Sequence, residues 1–156
     1  MKDEYMNDAE KKTVPKKIFT SSWSAFYLYY VAIVICWFGP HLNPTFAARI
    51  FLTPTVGFIL GLLLVGGVVY LKYGQQYEMD AAGVRTIWRY PPREQLIRWQ
   101  DIDKIQVRAG LTQTILGIGN IAIKPRQGEE MIWYGIESPK LIKTLLERGI
   151  DESAAG

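Results

Sequence analysis

The chain switches between two patterns of apolar and polar positions. Arg49 apart, no Asp, Glu, Lys or Arg lies between Ile18 and Leu71, whereas every other charge falls in residues 1–17 or 72–156. A helix rises about 1.5 Å per residue, so roughly 20 apolar residues cross a ~30 Å hydrocarbon core. Ser21 to Pro40 supplies twenty residues and Ile50 to Leu71 twenty-two. Trp23, Tyr27, Tyr29 and Tyr30 crowd one end of the first run and Trp37 marks the other, as interfacial aromatic belts do. Between the runs, Gly39-Pro40-His41-Leu42-Asn43-Pro44-Thr45 is rich in helix breakers and predicts a short turn. The pattern therefore predicts two antiparallel transmembrane helices. A cleaved signal peptide fits the first run poorly, because nine charges precede it within residues 1–17 and no Ala-x-Ala-like site follows.

After Leu71 the period shortens to that of strands. Gln76–Asp80 and Val84–Tyr90 flank a turn at Ala81-Ala82-Gly83, and Pro91-Pro92 forces another. In the next strand, Glu94–Trp99, Leu96 and Arg98 face one way and Ile97 and Trp99 the other. Lys104–Arg108, Asn120–Lys124 and Met131–Tyr134 complete a series of short strands, the pattern of a small barrel or sandwich. The chain then predicts one helix, with Ser138 as N-cap, Pro139 in its first turn and Gly149 as its C-cap. Leu141, Ile142, Leu145 and Leu146 form its apolar stripe. The expected organisation is a tail over 1–17, a transmembrane hairpin over 18–72, an all-β domain with a C-terminal helix over 73–149, and a frayed tail over 150–156.

Charge and rare residues narrow the chemistry. Cys36 is the single cysteine and His41 the single histidine, so one chain holds neither a disulfide nor a two-histidine metal site. Lys11, Lys12, Lys16 and Lys17 precede the first run, Lys72, Arg85 and Arg89 follow the second, and the intervening loop offers only Arg49. Both termini are thus expected on the cytoplasmic side. Residues 72–156 carry twelve basic and eleven acidic side chains, a net of +1, which argues against nucleic acid as a partner. These 85 residues are few for an enzyme with a dinucleotide cofactor, and no cofactor is expected.

Candidate contact residues fall in three sets. Gly57 and Gly61 form a Gly-x-x-x-Gly pair that lets helix backbones approach closely, against either the first span or a partner's helix. Phe26, Tyr30, Ile33 and Trp37 recur on one face of the first span. Arg85, Arg89, Arg93 and Arg98 interleave with Trp88, Tyr90 and Trp99, a composition suited to a protein partner or lipid headgroups. No pairing of nucleophile, acid and base stands out. Gly117-Ile118-Gly119 lacks the third glycine and following helix of a dinucleotide fingerprint.

Two spans followed by Tyr77-Glu78-Met79-Asp80, Gly83-Val84-Arg85, Trp99-Gln100-Asp101-Ile102-Asp103-Lys104-Ile105, Leu116-Gly117-Ile118-Gly119-Asn120-Ile121-Ala122-Ile123 and a terminal helix resemble the membrane-anchored bacterial PH-like (pleckstrin-homology-like) domain family. The resemblance covers about residues 50–148. It implies a barrel of two nearly orthogonal sheets closed by the C-terminal helix, in a non-enzymatic scaffold of the bacterial inner membrane. It further implies an accessory or assembly subunit of a respiratory or photosynthetic type of complex, with other membrane subunits as partners and self-association left open. The alternative is a lipid- or small-ligand-binding sensor at the cytoplasmic face. An inositol-phosphate pocket is not expected, since the first hairpin loop, Met79–Gly83, holds no basic residue.

Overall fold

A computed structural model describes residues 16–154. Most of the expected N-terminal tail (1–15) and the last two residues (155–156) lie outside the described residues. In chain order the elements are β1 (Lys17–Phe19), a 3-10 turn (Trp23–Phe26), α1 (Tyr27–Leu42), α2 (Pro44–Arg49), α3 (Pro54–Gly74), β2 (Gln75–Met79), β3 (Gly83–Arg89) and β4 (Pro92–Arg98). A second 3-10 turn (Trp99–Asp101), β5 (Ile102–Arg108), α4 (Leu111–Ile115), β6 (Ile118–Pro125), β7 (Met131–Glu137) and α5 (Pro139–Ala154) complete the chain.

Trp23–Leu42 and Pro54–Gly74 are 20 and 21 residues long and contain 18-residue stretches with mean hydropathies of 1.5 and 2.1, long and apolar enough to cross a membrane. The turn expected at 39–45 is mostly helical instead. α1 runs through Pro40 to Leu42, and Asn43 caps α2 by accepting the Phe46 N–H at 3.1 Å. Asn followed by Pro is a helix start as well as a breaker. Thr53 opens α3 in the same way, accepting from the Val56 N–H at 3.3 Å, with Pro54 in the first turn.

The rest of the chain forms two antiparallel sheets, β1-β2-β3-β4 and β5-β6-β7. They are separate sheets, not a closed barrel. The Trp99–Asp101 turn carries the chain off β4 and onto the second sheet, so that β4 and β5 do not pair among the described residues. The two inner faces meet α5 in one core of Tyr77, Met79, Val84, Ile97, Trp99, Ile105, Ile121, Ile123, Trp133, Ile142, Leu146 and their neighbours. The alternation expected at Leu96/Ile97 holds: Ile97 is buried and Leu96 exposed.

Two expectations change. The boundary placed between residues 17 and 18 falls inside β1, which pairs with β2 in the register Lys17↔Met79, Ile18↔Glu78, Phe19↔Tyr77. The hairpin is therefore an insertion between the first and second strands of a sheet, and not a leader ahead of the domain. Gly149 does not end the last helix, which continues to Ala154 and leaves no frayed tail from 150 among the described residues. Glycine is needed at 149 for proximity: a Cβ there would stand 2.7 Å from the Trp99 ring, closer than side-chain atoms pack.

Candidate functional site

The region that joins hairpin to sheets concentrates the unusual contacts. Only Thr20 to Ser22 separate β1 from the 3-10 turn, and α3 passes into β2 with no residue between them. Ser22 N–H donates to the Gly135 carbonyl at 2.7 Å, and the Ser21 hydroxyl donates to the Tyr134 carbonyl at 2.8 Å. The base of the first helix thus rests on β7 of the second sheet, while β1 beside it belongs to the first. Gly135 allows this contact, since a Cβ at 135 would overlap that of Ala25, and its φ of 61° lies in the left-handed region.

Lys72 closes the junction from the other helix. Its ammonium donates to the Thr20 hydroxyl at 3.1 Å and to the Ser21 carbonyl, and lies 5.4 Å from the centre of the Trp23 ring. Trp23 meets Tyr73 edge to face at 6.1 Å. Lys16 reaches the buried Glu78 carboxylate at 3.1 Å. Beneath them Tyr77 stacks on Trp133 with ring centres 5.3 Å apart, and Phe19 tilts against the same indole at 5.8 Å. The Tyr77 hydroxyl accepts from the Tyr134 N–H at 2.9 Å and donates to Gln75 at 3.1 Å. Burial raises its pKa above the usual 10.0, against the lowering effect of the Tyr134 N–H.

The glycine pair lies inside the hairpin. A Cβ at Gly57 would overlap the Cys36 carbonyl oxygen, and one at Gly61 the Trp37 indole. Pro40 has no N–H to offer Cys36 four residues back, and Gly57 packs against that freed carbonyl. Trp37 lies across Gly61 and stacks on Phe58 at 6.4 Å. The face expected to carry Phe26, Tyr30, Ile33 and Trp37 divides. Phe26 and Ile33 are buried, whereas Tyr30 is exposed and donates its hydroxyl to the Trp23 carbonyl at 3.0 Å.

The arginine–aromatic set does not form one site either. Arg85 bridges Asp80 at 3.2 Å and Glu94 at 3.0 Å, which neutralise it. Trp99 is buried, with its indole N–H donating to the Asp80 carbonyl at 2.9 Å. Arg98 pairs in register with Gly83, at the far end of β3 from Arg89. Trp88, Arg89 and Arg93 gather at the near end. Arg93 sits over the Trp88 ring at 5.5 Å, Arg89 reaches Gln76 at 3.5 Å, and the Tyr90 carbonyl accepts from the Tyr70 hydroxyl of α3. The junction residues Ser21, Lys72, Tyr77, Trp133 and Gly135 are not among the three sets of candidate contact residues. A glycine inside a strand was the available signal for a close backbone approach at 135.

In chemical terms the junction is a set of aromatic stacks and satisfied hydrogen bonds that holds position. Among the described residues no three His, Cys, Asp or Glu side chains gather to hold a metal ion. Cys36 is a free thiol within the hairpin. Fold and site together define the class: a domain of two antiparallel sheets with an apolar helical hairpin built into one of them. No family model matches the chain, and neither a curated protein nor a solved structure matches it.

Proposed function

We propose that this chain is a non-enzymatic membrane-anchored scaffold, an accessory or assembly subunit of a multi-subunit bacterial membrane complex. In this reading the hairpin crosses the inner membrane, both termini are cytoplasmic, and the sheets form a PH-like domain at the cytoplasmic face. The order of four strands, three strands and a terminal helix supports the PH-like assignment. One observation carries the scaffold reading: the sheets are joined to the hairpin with no linker on one side and three residues on the other. Such a connection holds the domain at one height and one orientation, as a fixed contact with a large neighbour requires. A domain that searches for a soluble ligand gains nothing from that constraint.

With Gly57 and Gly61 taken up inside the hairpin, contacts with a partner's helices fall to outward residues such as Leu28, Val31, Ile35 and Phe38, spaced along one face of α1 and exposed. Extraction of native membranes in mild detergent, sizing, and mass spectrometry of the co-migrating proteins test the reading. The chain is expected to travel at fixed stoichiometry with a multi-subunit assembly. Migration alone or as a small homo-oligomer overturns it and favours the lipid- or ligand-sensing alternative.

A further inference from the structure

The segment between Arg108 and Lys124 contains no charged residue, although it begins with an exposed loop. In that loop Leu111 is 82% exposed and Ile115 77%, and Leu141 of α5, which shares a groove with Thr114 and Gly117, is exposed as well. The Gly110 N–H donates to the Gln113 side chain at 3.0 Å and the Thr114 N–H to the Gly110 carbonyl at 2.9 Å. The turn therefore satisfies its own polar groups while presenting its apolar ones outward. Behind it lies an open groove of about 360 Å³, whose lining includes Val107, Ile118, Pro139 and Leu141. A water-facing turn gains nothing from this arrangement, because exposed apolar area is unfavourable in water.

Its position bears on what covers it. The Ser138 N–H donates to the Gly117 carbonyl at 2.9 Å, which fastens the loop to the end of β7. Gly135, two residues before the end of β7, accepts from the Ser22 N–H. Lys72 and Ser22 stand where the two apolar helices end. Strands advance about 3.3 Å per residue, so the loop hangs roughly 10 Å along β7 from the hairpin base. On the opposite flank the Tyr90 turn touches Tyr70, four residues before the end of α3 and so about 6 Å inside it. The domain is thus held against the end of the hairpin from both sheets, with its uncharged loop one short stretch of β7 away from that contact.

Resting on the reading that the hairpin spans a bilayer, we infer that α4 is an interfacial foot: Leu111 and Ile115 enter the headgroup–acyl boundary of the same bilayer. The occupant of this surface is lipid. A helix that lies in the interface buries its apolar face about 5–10 Å into the headgroup–acyl boundary, a depth two such side chains reach without a long helix. The Tyr90 turn, with Trp88 and Arg93 beside it, is the corresponding contact of the other sheet.

The test uses the full chain carrying Cys36→Ser, placed one copy per lipid nanodisc so that no second copy covers the loop. Ile115→Cys, Gln127→Cys in the turn at the other end of β6 and β7, and Phe58→Cys on the exposed face of α3 are each labelled with the same fluorophore. Quenching by doxyl-labelled lipid is compared with quenching by aqueous iodide. Lipid quenching and loss of iodide quenching are expected at 115 and 58, with the reverse at 127. Iodide access at 115 equal to that at 127, with 58 still in lipid, overturns the foot and leaves the anchor standing. Iodide access at 58 as well overturns both. Protection from iodide at 115 without lipid quenching means that protein covers the loop, which also overturns the inference.

Discussion

If the base of the first helix is seated on the second sheet, Gly135→Ala should unseat it for two separable reasons. The first is conformational: at φ 61° a residue with a Cβ costs about 1–2 kcal/mol relative to glycine. The second is steric, because the new methyl would overlap the Ala25 Cβ, and overpacking of this kind costs about 1–3 kcal/mol. The single variant is thus expected to lose roughly 2–5 kcal/mol, a large part of a typical domain's stability. Ala25→Gly alone loses only about 0.5–1 kcal/mol, the usual difference between the two residues within a helix. In the double variant the overlap disappears while the strained backbone remains, so the two losses combine with a favourable coupling of about 1–3 kcal/mol. Guanidinium unfolding of the full chain in micelles, followed by tryptophan emission, gives all four corners of the cycle. Strict additivity, with a coupling below about 0.5 kcal/mol, would refute the seating of the hairpin base at Gly135.

Three further outcomes follow from the same geometry. Tyr77→Phe leaves the Tyr134 N–H without its 2.9 Å acceptor and should lose about 1–3 kcal/mol. Because burial raises the Tyr77 pKa above 10.0, the folded state holds this proton more tightly than the unfolded state. The parent chain should keep the associated stability below pH ~10 and lose it as pH rises through the folded value, whereas Tyr77→Phe lacks that component; urea unfolding on both sides of that range checks the sign. Gly61→Ala drives a methyl into the Trp37 indole and should loosen the hairpin by about 1–3 kcal/mol, with Trp37→Ala relieving the overlap, as read by detergent titration. Arg85→Ala, whose partners Asp80 and Glu94 are partly exposed, should change stability by no more than about 1 kcal/mol, and less at high salt.

Much of the architecture was legible wherever one physical pressure acts alone. Apolar helices must exclude charge, so the long charge-free runs marked both of them. Strands with one buried face must alternate, so Ile97 and Trp99, set against Leu96 and Arg98, marked the core. The reading failed where one residue answers to two pressures. Gly149 sits where a C-cap glycine belongs, yet it is there to admit the Trp99 ring. Asn43-Pro44 can break a helix or begin one, and it begins α2. β1, three residues long, is too short to show any period and adjoins a span that absorbs it by composition. The arginine–aromatic set was found by composition, but strand geometry separates it: Arg89 lies six steps along β3 from Gly83, roughly 20 Å at strand spacing, so Trp88, Arg89 and Arg93 never meet Arg98.

The position of β1 has a consequence for how the molecule is assembled. β1 precedes the hairpin in the chain and β2 follows it, and the two pair directly. Their pairing requires both helices to have returned the chain to the side from which it left, so the first sheet is complete only when the hairpin is. A tail that merely precedes a membrane anchor carries no such demand, and this difference is measurable at Phe19. Its ring lies 5.8 Å from that of Trp133, on a strand separated from β7 by the whole hairpin in sequence. If β1 belongs to the domain, Phe19→Ala should destabilise the sheets by about 1–3 kcal/mol through lost apolar burial and aromatic contact, with a red-shifted tryptophan emission and an earlier guanidinium midpoint. If β1 were only the end of a tail, the unfolding curve would coincide with that of the parent chain. Coincidence would return the hairpin to the role of a leash; a shift makes it part of the sheet it interrupts, so that the domain cannot turn against the hairpin without breaking strand pairing.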